Sequence, residues 1–108
     1  MAPGISYKLA EFLASKKVVA VGLDTPFVDA VADPNNPIPV PEGTPSNMVF
    51  PVHHYFLTQA GVHTLENFNL KKISDDAVEL SCVMILPLMV KGSSASSIRP
   101  VAIGPSIL

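Results

Sequence analysis

Hydrophobic positions along the chain change their period several times, and each change marks an element. Leu9, Phe12 and Leu13 recur at helical spacing, with Lys8, Glu11, Lys16 and Lys17 elsewhere on the cylinder, which is the pattern of an amphipathic helix. Pro3-Gly4-Ile5 reads as the turn before it, Ser6 as its N-cap, and Lys16-Lys17 as a basic, solvated end that suits the helix dipole. The continuous apolar run Val18 to Leu23 then predicts a short strand buried on both faces, as in an α/β sheet. From Asp24 to Ser46 the composition turns to Pro, Asn, Asp and Gly. Prolines 34, 37, 39, 41 and 45 remove ladder donors, so this stretch is expected to be a long loop. Pro51 to Gln59 predicts a short helix with Gly61 near its exit, and Val62 to Leu65 a β-prone segment leading to Glu66. After a turn at Leu70 to Ile73, Val78 to Val90 is the longest strand candidate, with Pro87 marking a bulge or an edge. Gly92 to Ser97 is a small-residue loop, and Ile98 to Ile103 returns as a last strand, antiparallel to the previous one if that loop is a simple hairpin. The pattern specifies an α/β class, a mixed β-sheet with flanking helices, and no internal repeat.

Composition changes the picture in one respect. At 108 residues the chain fits a single small domain, which buries only about 60–70% of its unfolded surface. Yet 48% of it is hydrophobic, only 15% is charged and there is no Trp. That is apolar for a self-sufficient domain of this size, so part of the surface is expected to pack against a missing half or another subunit. Seven basic residues against nine acidic ones give a net charge of −2, without the concentrated basic patch that nucleic-acid binding needs. The single Cys82 excludes an internal disulfide framework, and its place in an apolar run predicts a buried, inert thiol. No charged segment followed by an apolar one opens the chain as a signal peptide would. The longest apolar stretch, Cys82 to Val90, falls short of the roughly 20 residues a membrane span requires. A cytoplasmic location, with no membrane or nucleic-acid partner, is the resulting expectation.

Four ligand-type residues fall close together: His53, His54, His63 and Glu66. Imidazole and carboxylate are the usual donors for zinc, manganese and related metals. His53 and His54 are neighbours, so only one of them easily faces a given metal. His63 and Glu66 differ by an odd step, which on a strand puts them on opposite faces. A helix-borne His with the strand-end Glu66 is therefore the better pair, but zinc wants three or four ligands. The alternative is three surface or half-buried histidines and an exposed Glu. Other templates fail: there is no phosphate loop, CxxC pair, HExxH helix or GxSxG elbow. Asp24, Asp29 and Asp33 read as turn caps rather than catalytic acids.

The strings Phe50-Pro51-Val52-His53-His54 and Ala60-Gly61-Val62-His63-Thr64-Leu65-Glu66-Asn67 resemble the cyclase family of metal-dependent hydrolases, which includes bacterial kynurenine formamidases and isatin hydrolases. In that family a His, a Gly-Ile-like pair and a Leu-Glu-Asn-Leu-like segment stand in this order. Pro3-Gly4-Ile5-Ser6 is similar to the family's PGLS helix start, and Val21-Gly22-Leu23-Asp24-Thr25-Pro26 to its GIDTPSxD segment. Leu86-Pro87-Leu88 with Lys91-Gly92, then Arg99-Pro100-Val101-Ala102-Ile103, is similar to its PLxIxG…SPVRPVAI ending. The resemblance implies a swivelling β/β/α-type domain and hydrolysis of an amide or lactam by water activated on Zn²⁺ or Mn²⁺. In the arylformamidases of the family the substrate is N-formylkynurenine, a step of tryptophan catabolism. It also implies that Glu66 and either His53 or His54 are metal ligands, because members differ by one residue in the spacing between the two; the Phe-Pro-Val pattern favours His53.

This sequence departs from the family in one large way. The HxGTHxDxPxH motif, which supplies most ligands and the acid/base histidine, is absent. Phe27 also stands where the family often has Ser, and Ser97-Ile98-Arg99 replaces Ser-Pro-Val-Arg. Residues 1–108 are thus expected to be the C-terminal portion of a cyclase-like domain, single and incomplete, with no catalytic residue of its own. Such a chain would be inactive alone, and would associate with the missing half or as a homo-oligomer. The alternative is a non-catalytic, truncated module used for binding or subunit interaction.

Overall fold

The computed structural model describes residues 3–31, 35 and 42–104, which fall into two compact units, Met1–Leu70 and Lys71–Leu108. Helices stand beside one small parallel and one small antiparallel sheet, so the class is mixed α/β. The strands do not join into the single mixed sheet expected from the sequence; each sheet has two strands.

The first unit opens with helix α1, Tyr7–Ser15. Ser6 caps it in extended conformation, its Oγ accepting from the Leu9 amide at 3.2 Å, so one orphan donor of the first turn is satisfied. The buried face is not the Leu9–Phe12–Leu13 stripe. Ala10 is fully buried and Leu13 and Ala14 pack on the core, whereas Leu9 and Phe12 are exposed. A small Ala lets the helix come close to its neighbours, and the Phe12 ring is instead covered by Lys16, whose Nζ lies 5.1 Å from its centroid.

Strand β1, Ala20–Gly22, is only the middle of the predicted run. It pairs in parallel with β2, His63–Leu65, with Ala20 opposite His63 and Gly22 opposite Leu65. With one neighbour and one covering layer it is half-buried rather than buried on both faces, and Val19 is exposed. Parallel neighbours require a long crossover, and the described part of it contains helix α2, Pro51–His54. Pro51 sits at the first helical position, where its missing N–H is no loss. The helix then widens into a π-helical turn, Tyr55–Ala60, and Gly61 ends it with φ 67°. That left-handed conformation suits Gly. Val28, Val52, Phe56 and Val62 join Ala10 as the buried apolar core. Of the expected Asp24–Ser46 loop, prolines 34, 37, 39 and 41 and Asp33 lie outside the described residues.

The second unit has helix α3, Lys71–Asp75, where the sequence reading expected only a turn. Exposed pairs Lys71–Asp75 and Lys72–Asp76 line it at 2.6 and 2.7 Å. Strands β3, Cys82–Met84, and β4, Val101–Ile103, form an antiparallel ribbon whose register continues to the Pro87–Ile98 bridge. The strand expected over Val78 to Val90 is thus cut to three residues and one bridge. Cys82 is exposed, not buried. The apolar run around it is real, but nothing within its ribbon covers β3. Among the described residues no helix is long and apolar enough to cross a membrane.

Candidate functional site

Three separate segments of the first unit meet at one imidazole. The first is Phe27–Val28–Asp29. The Ile5 amide donates to the Val28 carbonyl at 2.9 Å, and Ile5 bridges Asp29 in parallel fashion. Gly4 is packed so closely on the Asp29 and Ala30 backbone that a Cβ there would overlap it. This fixes Asp29, the sole charged side chain among the buried residues described, at 2% exposure.

The second segment is the start of α2. Its own N-cap, Phe50, offers no side-chain acceptor. Asp29 supplies one across the chain: Oδ1 accepts from the Val52 amide at 2.7 Å, and Oδ2 from the His53 amide at 3.0 Å. A carboxylate at the positive end of a helix is doubly favoured, by orphan N–H groups and by the local dipole. Oδ2 also meets His53 Nδ1 at 2.5 Å. The third segment follows β2. Glu66 Oε1 accepts from the Val28 amide at 3.0 Å and lies 2.8 Å from His53 Nε2. The side chains of His53 and Glu66 are 23% and 26% exposed, so the cluster opens to solvent on the Nε2 side while Asp29 closes the other.

An aromatic ledge adjoins this opening. Phe50 stands edge-on to the His53 ring at 5.7 Å, and Phe27 stacks on Phe50 at 5.4 Å with 30° between planes. Both phenylalanines are partly exposed.

The structure therefore brings His53 and Glu66 together. His54 and His63 are exposed and stand outside the cluster, and Asp24 is exposed. His63 follows the odd-step rule from Glu66. Asp29 is the residue that sequence reasoning passed over. A signal existed: it occupies the last position of the GIDTPSxD pattern, and it is the one acid in the largely apolar string Phe27-Val28-Asp29-Ala30-Val31.

Chemically, an imidazole whose Nδ1 is held by a carboxylate presents Nε2 as a donor of fixed direction, the usual outer-shell arrangement behind a metal-bound histidine. Here Nε2 and Glu66 Oε1 are two adjacent donors of the N/O type that Zn²⁺ or Mn²⁺ accepts. The fit is to two coordination positions. Among the described residues no group of three His, Cys, Asp or Glu side chains is arranged to hold a metal ion. Comparison with known proteins adds no name to this cluster: no family model, curated protein or solved structure matches the chain.

Proposed function

We propose that this chain carries two ligands, His53 and Glu66, of a divalent-cation site in a metal-dependent amide hydrolase of the cyclase type, with Zn²⁺ or Mn²⁺ as the cation. The observation that carries the reading is the line Asp29–His53–Glu66: a buried carboxylate sets the ring, and the free-facing nitrogen lies against a second carboxylate. Of these three, His53 and Glu66 are residue types, in this order along the chain, that the family resemblance singles out; Asp29 is not among them. The β1–α2–β2 unit that presents them is accordingly read as part of a swivelling β/β/α cyclase domain. The remaining ligands come from a segment carrying HxGTHxDxPxH, which this sequence lacks.

When bound, the cation supplies Lewis acidity toward a carbonyl oxygen and lowers the pKa of water. The chain's own residues do the rest. Asp29 holds His53 Nδ1 as a hydrogen-bond donor and so keeps Nε2 available. Glu66 is steadied by the Val28 amide through Oε1. Phe27 and Phe50 offer a flat apolar surface next to the site, which suits the ring of an aryl formamide or a cyclic aryl amide. A second reading has its own observation: carboxylate oxygens of Asp29 and Glu66 face the two ring nitrogens of His53, and among the described residues the donor group stops at two, as in a clamp that ties three segments together in a non-catalytic module.

Calorimetric titration of Zn²⁺ and Mn²⁺ into the chain separates the two. The hydrolase reading expects binding that His53→Ala and Glu66→Ala abolish and His54→Ala leaves intact. It also expects N-formylkynurenine turnover only after a chain bearing the HxGTHxDxPxH segment is added. Metal binding unchanged by Glu66→Ala, or no binding and no turnover with that segment supplied, selects the clamp.

A further inference from the structure

Glu66 reaches His53 from an irregular corner rather than from a regular strand. Where β1 and β2 end, the Leu23 amide donates to the Leu65 carbonyl at 3.0 Å. A regular parallel ladder would return the amide two residues on, that of Asn67, to the Leu23 carbonyl. Here the Phe68 amide takes the Leu23 carbonyl, at 3.0 Å, and the Asn67 amide goes to the Thr25 carbonyl at 2.9 Å. One residue too many is fitted between Leu65 and Phe68, as at a β-bulge, a device that re-aims a side chain. The excess is taken up at Asn67, whose φ is 56°. Beyond it the chain is seated again, with the Phe68 ring so close over Gly22 that a Cβ there would come within 2.6 Å of it.

This corner closes a ring of contacts around the carboxylate. The Asn67 amide holds the Thr25 carbonyl, the Thr25 hydroxyl donates to the Phe27 carbonyl at 2.7 Å, and the Val28 amide donates back to Glu66 Oε1 at 3.0 Å. The same oxygen lies 2.8 Å from His53 Nε2. Each link but one is a contact that an ordinary backbone makes. The exception is the left-handed turn at Asn67, a conformation that most L-residues disfavour roughly 5–30-fold. Gly is exempt, and Asn tolerates it better than Ala or a β-branched residue. Asn67 is exposed, so its side chain has little packing to lose on replacement. What this position supplies is a backbone conformation.

We infer that Asn67 is a positioning residue, whose left-handed backbone aims the Glu66 carboxylate at His53 Nε2 and the Val28 amide. Its bearing on cation affinity rests on the function proposed above; the aiming itself does not. The test compares Asn67→Gly, Asn67→Ala and Asn67→Val in the whole chain without metal, with Glu66→Ala as the reference for a missing carboxylate. Val28 is fully buried and its amide donates to Glu66, so hydrogen exchange there reads how often that contact opens. The amide of Ala10, buried in α1, serves as the control for general loosening. Relative to Ala10, exchange at Val28 should quicken by roughly 5–30-fold in Asn67→Ala, by at least as much in Asn67→Val, and by less than about threefold in Asn67→Gly. The His53 ring signals should move toward those of Glu66→Ala in the Ala and Val variants only. Zn²⁺ affinity measured by calorimetry should fall in the same order. A wild-type chain that binds no Zn²⁺ counts against the proposed function, and the exchange comparison still decides this inference. Val28 and Ala10 quickening together, with the His53 signals unmoved, would make Asn67 a general stabiliser and overturn it. So would an Asn67→Gly chain that matches Asn67→Ala, because the side chain and not the backbone would then carry the effect. If Asn67→Val does not fold, the Ala and Gly variants make the same comparison.

Discussion

Replacing Asp29 by Ala tests the centre of the candidate site and the fold around it at once. The change removes three acceptor contacts: to the Val52 amide at 2.7 Å, the His53 amide at 3.0 Å and His53 Nδ1 at 2.5 Å. Asp29 is 2% exposed, so water does not take its place without the site opening. A buried donor left unsatisfied costs about 1–3 kcal/mol, a lost charge-assisted bond about 1.5–3 kcal/mol, and a lost helix cap about 1 kcal/mol. These overlap because they describe one carboxylate. A combined loss of about 3–5 kcal/mol is therefore expected, a large part of the about 5–15 kcal/mol that keeps a domain folded. Asp29→Asn keeps the volume and one acceptor but turns an NH₂ toward donors, and should lose about 2 kcal/mol. Urea unfolding followed by tyrosine fluorescence reads this directly, because both tyrosines, Tyr7 and Tyr55, lie in the first unit and there is no Trp to mask them. The His53 ring resonances in NMR provide the second readout and should shift in both variants. An Asp29→Ala chain within about 0.5 kcal/mol of the wild type, with unmoved ring signals, would refute the role given to this carboxylate.

Two further outcomes follow from the same unit. Gly4→Ala places a Cβ into the Asp29–Ala30 backbone and should destabilise by about 1–3 kcal/mol through overpacking; it should also shift the His53 signals. Tyr7 is held above its ordinary pKa of 10.0, first by burial and then by Glu11 and Tyr55. The unfolded chain therefore loses this proton first. The associated stability is fully present below pH about 10 and is lost as pH rises through the folded value; urea midpoints should fall between about pH 9 and 11, and less so in Tyr7→Phe.

The elements carried by local chemistry were legible in the sequence. Ser6 capping α1, Gly61 closing the turn after α2, and the return of Val101–Ile103 on the chain before it all depend on a few adjacent residues. What was not legible depends on depth. Leu9 and Phe12 are more apolar than Ala10, yet Ala10 takes the core because only a small side chain lets α1 approach Val52 and Phe56. Cys82 sits in an apolar run that exposes its side chains, and periodicity cannot say whether a layer exists to cover a strand. In the site, His53 and Glu66 stand out as ligand types, whereas Asp29 reads as a turn cap. It does cap, but a helix that begins at Pro51, and only the Ile5–Asp29 pairing carries it there. Asp29 and the His53 amide it accepts from are 24 residues apart, so their contact leaves no local trace.

The π-helical turn at Tyr55–Ala60 lies on the path between His53 and Glu66 and holds one residue more than an α-helical turn would in the same place. Gly61 and Val62 both return their amides to the Phe56 carbonyl, which anchors the far end of the turn to a fully buried ring. A single-residue deletion inside it therefore has a ready outlet: the backbone tightens to α, while Phe56 and β2 keep their seats. Length variation between the two ligand-type residues is absorbed as winding rather than as a displaced strand. A shift of one in their spacing need not transfer the role from His53 to its exposed neighbour His54.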